Sequence, residues 1–271
     1  MDELFRLSDE YGPARIVHIH RPHVGLRAIA VVDNTACGVA VGGVRMAPDV
    51  SVEECFRLAR AMTWKNAAAG LPHGGGKSVI FGDPRMAIAS KEQIIRAFAG
   101  AIREISDYVP GPDMGTDELC MGWIKDETGR AAGLPSAIGG IPLDQIGATG
   151  FGLVAAIKVA CGFISLDLKG ATVAVQGFGA VGKHAARLLA QEGAILVAAS
   201  DTRGTLVDRS GLDASALVAL KDSGHPIARP FARRKARSPQ MPSSTSIAIS
   251  GSRPPGPTSC EATTSTSSKP V

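Results

Sequence analysis

Small and branched apolar residues alternate along Ala28-Ile29-Ala30-Val31-Val32, which predicts a strand running towards a turn at Asp33-Asn34. The period then changes. From Val52 to about Ala69 the apolar positions Cys55, Leu58 and Met62 fall on one face of a helix. Ser51 with Glu54 three residues on forms a capping box, and Gly70 stands where a helix ends. A second helix fits Lys91 to Ile105, with Ser90 and Gln93 as its capping box and Ile94, Ile95, Phe98, Ile102 and Ile105 turned inward.

Further along, residues 149–168 read as a helix and its exit. The pattern then becomes strand (ATVAV, 171–175), glycine turn, helix (Lys183 to Glu192) and strand (AILVAAS, 194–200), the start of a βαβ unit. From about residue 229 periodicity disappears. Ser, Thr, Pro and Gly fill 23 of the 34 positions in 238–271. Such a segment has too little apolar surface to offset its ordering entropy, and disorder is the expectation.

Charge sharpens this division. The chain of 271 residues carries a net +4, but residues 229–271 hold seven basic residues against the single acid Glu261, leaving the remainder with −2. The folded part is therefore no basic nucleic-acid binder. The clustered arginines of the tail have only Phe231 as an aromatic neighbour, poor material for stacking on bases. Five scattered cysteines, never in a C-x-x-C pair, argue against a disulfide scaffold or a zinc module and for free thiols. No window holds 18 uncharged apolar residues and the N-terminus MDELFRLSDE is acidic, so neither a membrane span nor a signal peptide is expected, and a cytoplasmic protein is.

Four features carry candidate chemistry. Lys65 follows Leu58 and Met62 on a helix face expected to point inward, where a lysine needs an anionic partner or a task. Lys77 ends the run Gly74-Gly75-Gly76, whose missing side chains let backbone and ligand approach closely. The plainer readings are a snorkelling Lys65 and a loop charge at Lys77. A phosphate loop is excluded, because the glycine its pattern needs is Leu71. Asp113, in Gly111-Pro112-Asp113-Met114-Gly115-Thr116, is either a turn former or a carboxylate held rigidly for proton transfer.

The fourth feature is Gly177-Phe178-Gly179-Ala180-Val181-Gly182, a full G-x-G-x-x-G between a predicted strand and helix, with Asp201 closing the next strand 19 residues after Gly182. The turn offers backbone N–H groups and a helix N-terminus to a pyrophosphate. Asp201 is placed to accept the adenosine ribose hydroxyls, which favours NAD over NADP, although Arg203 stands ready for a 2′-phosphate. His18, His20 and His23 have no carboxylate or thiolate at matching spacing, so a surface strand is expected there and no metal.

GVAVGGVRM (38–46), MTWKNAAAGLPHGGGKSVIFGDP (62–84), VPGPDMGT (109–116), ATGFG (148–152) and VAVQGFGAVG (173–182) occur in an order that resembles the glutamate/leucine/phenylalanine/valine dehydrogenase family over roughly residues 15–225. The resemblance implies an α/β protein. An N-terminal substrate and oligomerisation domain (1–148) precedes an incomplete Rossmann-type dinucleotide-binding domain (149–228) and a disordered basic tail (229–271), with catalysis in the cleft between the domains. It also implies oxidative deamination of an L-amino acid to a 2-oxo acid and ammonia with NAD or NADP, in a homo-oligomer. A truncated, non-catalytic amino-acid binder is the alternative.

By motif, Lys65 matches the lysine on the substrate α-carboxylate, Lys77 the catalytic lysine, Asp113 the proton shuttle, and Thr149 a hydroxyl near the nicotinamide. Val41, beside Gly42, stands 24 residues before Lys65, where glutamate-specific relatives carry a lysine for the side-chain carboxylate. An apolar substrate is therefore expected, against the glutamate-like segment MGWIKD (121–126). The resemblance ends near His225-Pro226-Ile227. The tail beyond it has the composition of a GC-rich gene read out of frame, which predicts a frameshift near codon 230 and a truncated dehydrogenase.

Overall fold

The computed structural model describes residues 5–227, 246–250 and 262–265 and divides into two compact units, Met1–Pro142 and Leu143–Val271. In the first, strands β1 (Arg15–Arg21), β2 (Leu26–Asn34), β3 (Ala40–Ala47), β4 (Gly74–Phe81) and β5 (Tyr108–Pro112) form one sheet in the order β1-β2-β4-β3-β5. Strands β3, β4 and β5 run parallel, and β1, β2 and β4 pair antiparallel. Helix α1 (Val52–Ala68) covers one face, packing Cys55 and Ala59 on Ile29, Val31 and Val79. Helices α2 (Ile88–Ile102) and α3 (Glu118–Thr128) cover the other, where Ile95, Phe98, Ile102, Met121 and Ile124 meet Ala30, Val44, Met46 and Ile80. Because both faces are covered, every residue from Gly74 to Ile80 is buried.

The predicted cap of α1 is present: the Ser51 hydroxyl accepts from the Glu54 N–H, and Gly70, in the left-handed region at φ +65°, turns the chain out of the helix. Helix α2 differs from expectation. It starts at Ile88 rather than Lys91, and Ala87 caps it with no side-chain bond. A turn closed by the Met86 N–H on the Asp83 carbonyl delivers the chain into the helix one turn early. Ile105 lies beyond the last helical turn yet is still buried.

In the second unit, α4 (Leu143–Ile146) and α5 (Ala148–Phe163) lead into β6 (Thr172–Gln176), α6 (Ala180–Gln191) and β7 (Ile195–Asp201). This is the expected βαβ unit, with β6 and β7 parallel. Strand β8 (Gly204–Val207) returns as a hairpin on β7, and α7 (Ala214–Asp222) follows.

The region expected to be a disordered tail lies largely outside the described residues. Two stretches within it depart from that expectation: β9 (Ser246–Ser250) pairs antiparallel with β6, and β10 (Ala262–Ser265) pairs with β9. The reason is local. Ile247 and Ile249 alternate, both are buried, and they join Val173 and Val175 of β6 in one core on an edge otherwise left open.

Candidate functional site

Lys77 stands mid-strand on β4, and Asp113 follows directly on β5. Strand β3 lies between them and pairs Val44 with both Ser78 and Pro112, so the two chemical groups meet across Gly43. A β-carbon on Gly43 would stand 3.1 Å from Lys77 Nζ and 2.7 Å from Asp113 Cβ. Lys77 Nζ donates to Asp113 Oδ2 in a close ion pair, with the lysine side chain 7% exposed and the aspartate 19%. Arg45 on β3 completes the group: its Nε donates to the same Oδ2 at 3.2 Å, and its Nη1 pairs closely with Glu54 of α1.

Burial and charge pull these groups in opposite directions. Burial pushes the Lys77 ammonium towards its neutral form and outweighs the pull of Asp113; the nearby Arg45 adds to the depression. Burial alone would raise the Asp113 carboxyl, but Lys77 and Arg45 together hold it below the usual carboxylate range. The result is an ionised carboxylate beside an amine under stress to lose its proton. The loop after Asp113 is fixed from below: the Thr116 hydroxyl accepts from the Asp113 N–H at 3.1 Å and donates to the Val44 carbonyl at 2.7 Å.

Arg45 and Glu54 are residues that sequence reasoning missed. The available signal was period two: Val41, Gly43, Arg45 and Ala47 are half-buried while Ala40, Gly42, Val44 and Met46 are buried. A half-buried arginine on a strand covered on both faces needs an acidic partner, just as a buried lysine does.

The glycines do something other than admit a ligand. A β-carbon on Gly42 would overlap the Gly76 carbonyl, one on Gly74 the Asn34 carbonyl, and one on Gly75 the backbone and hydroxyl of Thr63 in α1. On Gly76 it would press on the Tyr108 ring at 2.8 Å. The space is taken by the protein itself, which brings α1 and Tyr108 close against β4. Tyr108 is fully buried, accepts from the Ser78 hydroxyl at 3.1 Å and donates to the Gly42 carbonyl at 3.0 Å. Val41 is half-buried on the strand face that also carries Gly43 and Arg45.

Lys65 does not point inward. It is exposed, because the inward line of α1 runs through Cys55, Ala59 and Asn66 while Leu58 and Met62 lie half-buried on its flank. The other flank holds a second ionic group: Arg60 Nε donates to both oxygens of the fully buried Asp33, at 3.1 and 2.9 Å, and the Thr63 hydroxyl donates to Oδ2 at 2.6 Å. Arg60 also grips Asp9 at 2.7 and 2.8 Å, tying the N-terminal segment to α1. His18 and His20 are exposed on the edge strand β1, and no metal-holding group occurs among the described residues.

In the second unit the three motif glycines divide their work. Gly177 turns the chain at φ +88°. Gly179 caps α6, and a β-carbon there would meet nothing within 4 Å, leaving the helix N-terminus with Ala180 and Val181 approachable. Gly182 is buried, and a β-carbon on it would overlap the Gly177 carbonyl. This matches the division that pyrophosphate binding requires. The N–H groups of Gly177 and Phe178 are already taken by the Ser200 carbonyl, at 3.0 and 2.7 Å, and the Phe178 ring is fully buried in the core. Any N–H donors this turn could offer a ligand thus begin at Gly179.

Asp201 ends β7 at 6% exposure. Its Oδ1 accepts from the Arg203 N–H at 2.8 Å; its Oδ2 accepts from Lys221 Nζ at 2.9 Å and the Ile227 N–H at 3.1 Å. Burial alone would raise its carboxyl, yet Lys221 and the two N–H donors hold it low. Thr149 is exposed in the first turn of α5.

Residues 13–130 match the family model described as the Glu/Leu/Phe/Val dehydrogenase dimerisation domain, and residues 139–249 match that of Glutamate/Leucine/Phenylalanine/Valine dehydrogenase. Leucine dehydrogenase of Bacillus subtilis is 41% identical over 204 residues, 72% of this chain and 55% of its own length. Glutamate dehydrogenase of Aeropyrum pernix is 37% identical over 203 residues, 70% of this chain and 48% of its own. The hetero-hexameric glutamate dehydrogenase of Thermus thermophilus, solved in a Leu-bound form, superposes with a TM-score of 0.73 at 30% identity, covering 81% of this chain and 58% of that one. The chain spans about half the length of the relatives it matches. Among the described residues no helix is long and apolar enough to cross a membrane.

Proposed function

Given that the chain belongs to the glutamate/leucine/phenylalanine/valine dehydrogenase family, we propose that it serves the oxidative deamination of an L-amino acid to a 2-oxo acid and ammonia. The observation that carries this reading is the buried Lys77–Asp113 pair, steadied by Arg45. Asp113 is the only carboxylate in contact with Lys77 among the described residues, and it is held ionised, the form that takes a proton from a substrate ammonium.

The nicotinamide nucleotide, when bound, accepts the hydride from the substrate α-carbon; Gly179, Ala180, Val181 and the α6 N-terminus would hold its pyrophosphate, and Thr149 would lie near its ring. The protein's own residues do the proton work. Asp113 receives the proton released from the amino nitrogen as the carbon–nitrogen double bond forms. Lys77, pressed towards its neutral amine, takes a proton from the water that adds to that carbon and steadies the developing oxygen charge as the ammonium form. Lys77 releases the proton it took to solvent and then takes the hydroxyl proton as the carbonyl forms, while Asp113 returns its proton to the departing nitrogen, which leaves as ammonia. Exposed Lys65 is free to meet the α-carboxylate.

Substrate choice follows from Val41. The cations near the face it shares with Gly43 are Arg45, already spent on Asp113 and Glu54, and Lys77, already paired with Asp113. A glutamate side-chain carboxylate would stay unpaired there, so an apolar amino acid is favoured. Self-association is the expected assembly, supported by the dimerisation description of the domain matched by residues 13–130.

The test is nicotinamide reduction by the purified full chain with L-leucine, L-valine, L-phenylalanine and L-glutamate. Turnover of an apolar amino acid above glutamate is expected, and Val41→Lys should raise the glutamate-to-leucine ratio of kcat/KM roughly tenfold, the worth of about 1.4 kcal/mol of new ion pairing. Saturable amino-acid binding without nucleotide reduction would replace the enzyme reading by a binding protein. Preference for glutamate in the unaltered chain would overturn the pocket assignment.

A further inference from the structure

Resting on the reading of the second unit as a nicotinamide-nucleotide domain, the arrangement around Asp201 bears on which nucleotide it takes. A carboxylate that reads the two hydroxyls of an adenosine ribose must turn its oxygens outward. Asp201 does not: its side chain is 4% exposed, and three donors from within the chain occupy it. It ties the end of β7 to α7 and to the backbone at Ile227.

The groups left at this corner are cationic. Asp201 pairs with Gly204 across a two-residue turn, Thr202-Arg203, at the carboxyl end of β7. The Gly177 turn leaves the neighbouring parallel strand at the same end, where Gln176 pairs with Ser200. Arg203 is exposed and enters no ion pair among the described residues. Lys221, 28% exposed, touches Asp201 with one donor and has two more to offer. The next carboxylate in the chain, Asp222, is engaged by Lys183. Among the described residues Asp201 and Lys221 cancel, so Arg203 leaves the corner one positive charge in surplus.

We propose that Arg203 and Lys221 form a subsite for the 2′-phosphate of an adenosine nucleotide, with Asp201 as the positioning residue that holds Lys221 in place. The site then takes the 2′-phosphorylated dinucleotide, NADP, in preference to NAD, in contrast with the expectation drawn from the aspartate alone. A phosphate beside two cations gains charge-assisted bonds that a ribose hydroxyl cannot match.

Calorimetric titration of the full chain with adenosine 2′,5′-bisphosphate and with ADP tests this without any turnover. The bisphosphate is expected to bind roughly tenfold tighter, the worth of one charge-assisted contact. Arg203→Ala should remove most of that difference and leave ADP within about twofold; Lys221→Met should narrow it, and Lys221→Arg restore it. Asp201→Asn should leave ADP affinity of the folded protein within about twofold, whereas a ribose acceptor would lose about tenfold. Tighter binding of ADP, or an Arg203→Ala loss shared equally by both ligands, overturns the subsite while sparing the nucleotide domain. Binding of neither ligand overturns both. Since Arg203 is exposed, its variant reads the subsite even if Lys221→Met unfolds the unit.

Discussion

Two aspartates stand at strand ends, one in each unit, and each holds a lysine, yet their surroundings set them to different work. Asp113 is shared by Lys77 and a guanidinium and, among the described residues, is reached by no backbone N–H from a distant segment; the lysine side chain is almost wholly sealed off at 7% exposure. Asp201 holds a lysine that reaches solvent and fills its remaining capacity with backbone N–H groups from Arg203 and Ile227. The first arrangement leaves charge under stress, which is what proton transfer uses. The second spends its charge on joining segments. Asp33, fully buried between Arg60 and Thr63, marks the far end of this series, since nothing in its surroundings is left to react. A buried carboxylate with a cation is therefore not by itself a site; the distinction lies in whether burial has destabilised the partner.

The widest separation between the two aspartates should come from removing charge. Asp113→Asn is expected to lower kcat by about 10²–10⁴-fold, and Asp201→Asn to show chiefly as a lower thermal midpoint; steady-state kinetics beside melting curves checks both. An Asp113→Asn variant with unchanged kcat would erase the contrast. Next in size, Arg60→Ala strands the buried Asp33 and should cost about 3–5 kcal/mol in chemical denaturation with kcat of the folded protein unchanged.

A smaller effect compares glycines. Gly75→Ala drives a methyl into Thr63 and should cost about 1–3 kcal/mol. Gly179→Ala meets no atom and should stay within about 0.5 kcal/mol in stability while weakening ADP binding. Equal stability losses would show that both loops are packed alike.

The finest test is pH. Asp113 has a lowered folded pKa, so its contribution is complete above the unfolded value of about 3.9 and is lost as pH falls through the folded one. Lys77 also has a lowered pKa. Between that pKa and about 10.4 the unfolded chain binds the extra proton, so stability rises with pH across the window. Unfolding free energies measured against pH should lose the alkaline rise in Lys77→Met.

Much of this was legible in the chain because it depends on neighbours. The Ser51 cap and Gly70 exit need only residues three or four apart, and the β6–α6–β7 unit announces itself by a run of small apolar residues, spaced glycines and a helix. Lys77, Asp113 and the glycine turn were singled out from residue type and spacing for the same reason, whereas the contact between Lys77 and Asp113 was not visible there. The inward face of α1 was misjudged by a fraction of a turn, because sequence period alone cannot say which side of a broad apolar stripe a sheet will meet; Lys65 went outward as a result.

What the sequence determined by itself was a set of local elements and the chemical types available to them. Only the tertiary structure decided the partners. Arg45 reaches Asp113 across 68 residues because β3 and β5 run parallel in one register, and Asp201 meets Lys221 because α7 packs back to the end of β7. Ile247 and Ile249 likewise became core residues only when β6 offered them an edge. Ion pairs and strand edges are satisfied by position in space, and a burial cost large enough to shift a lysine's proton exists only after the chain around it has closed.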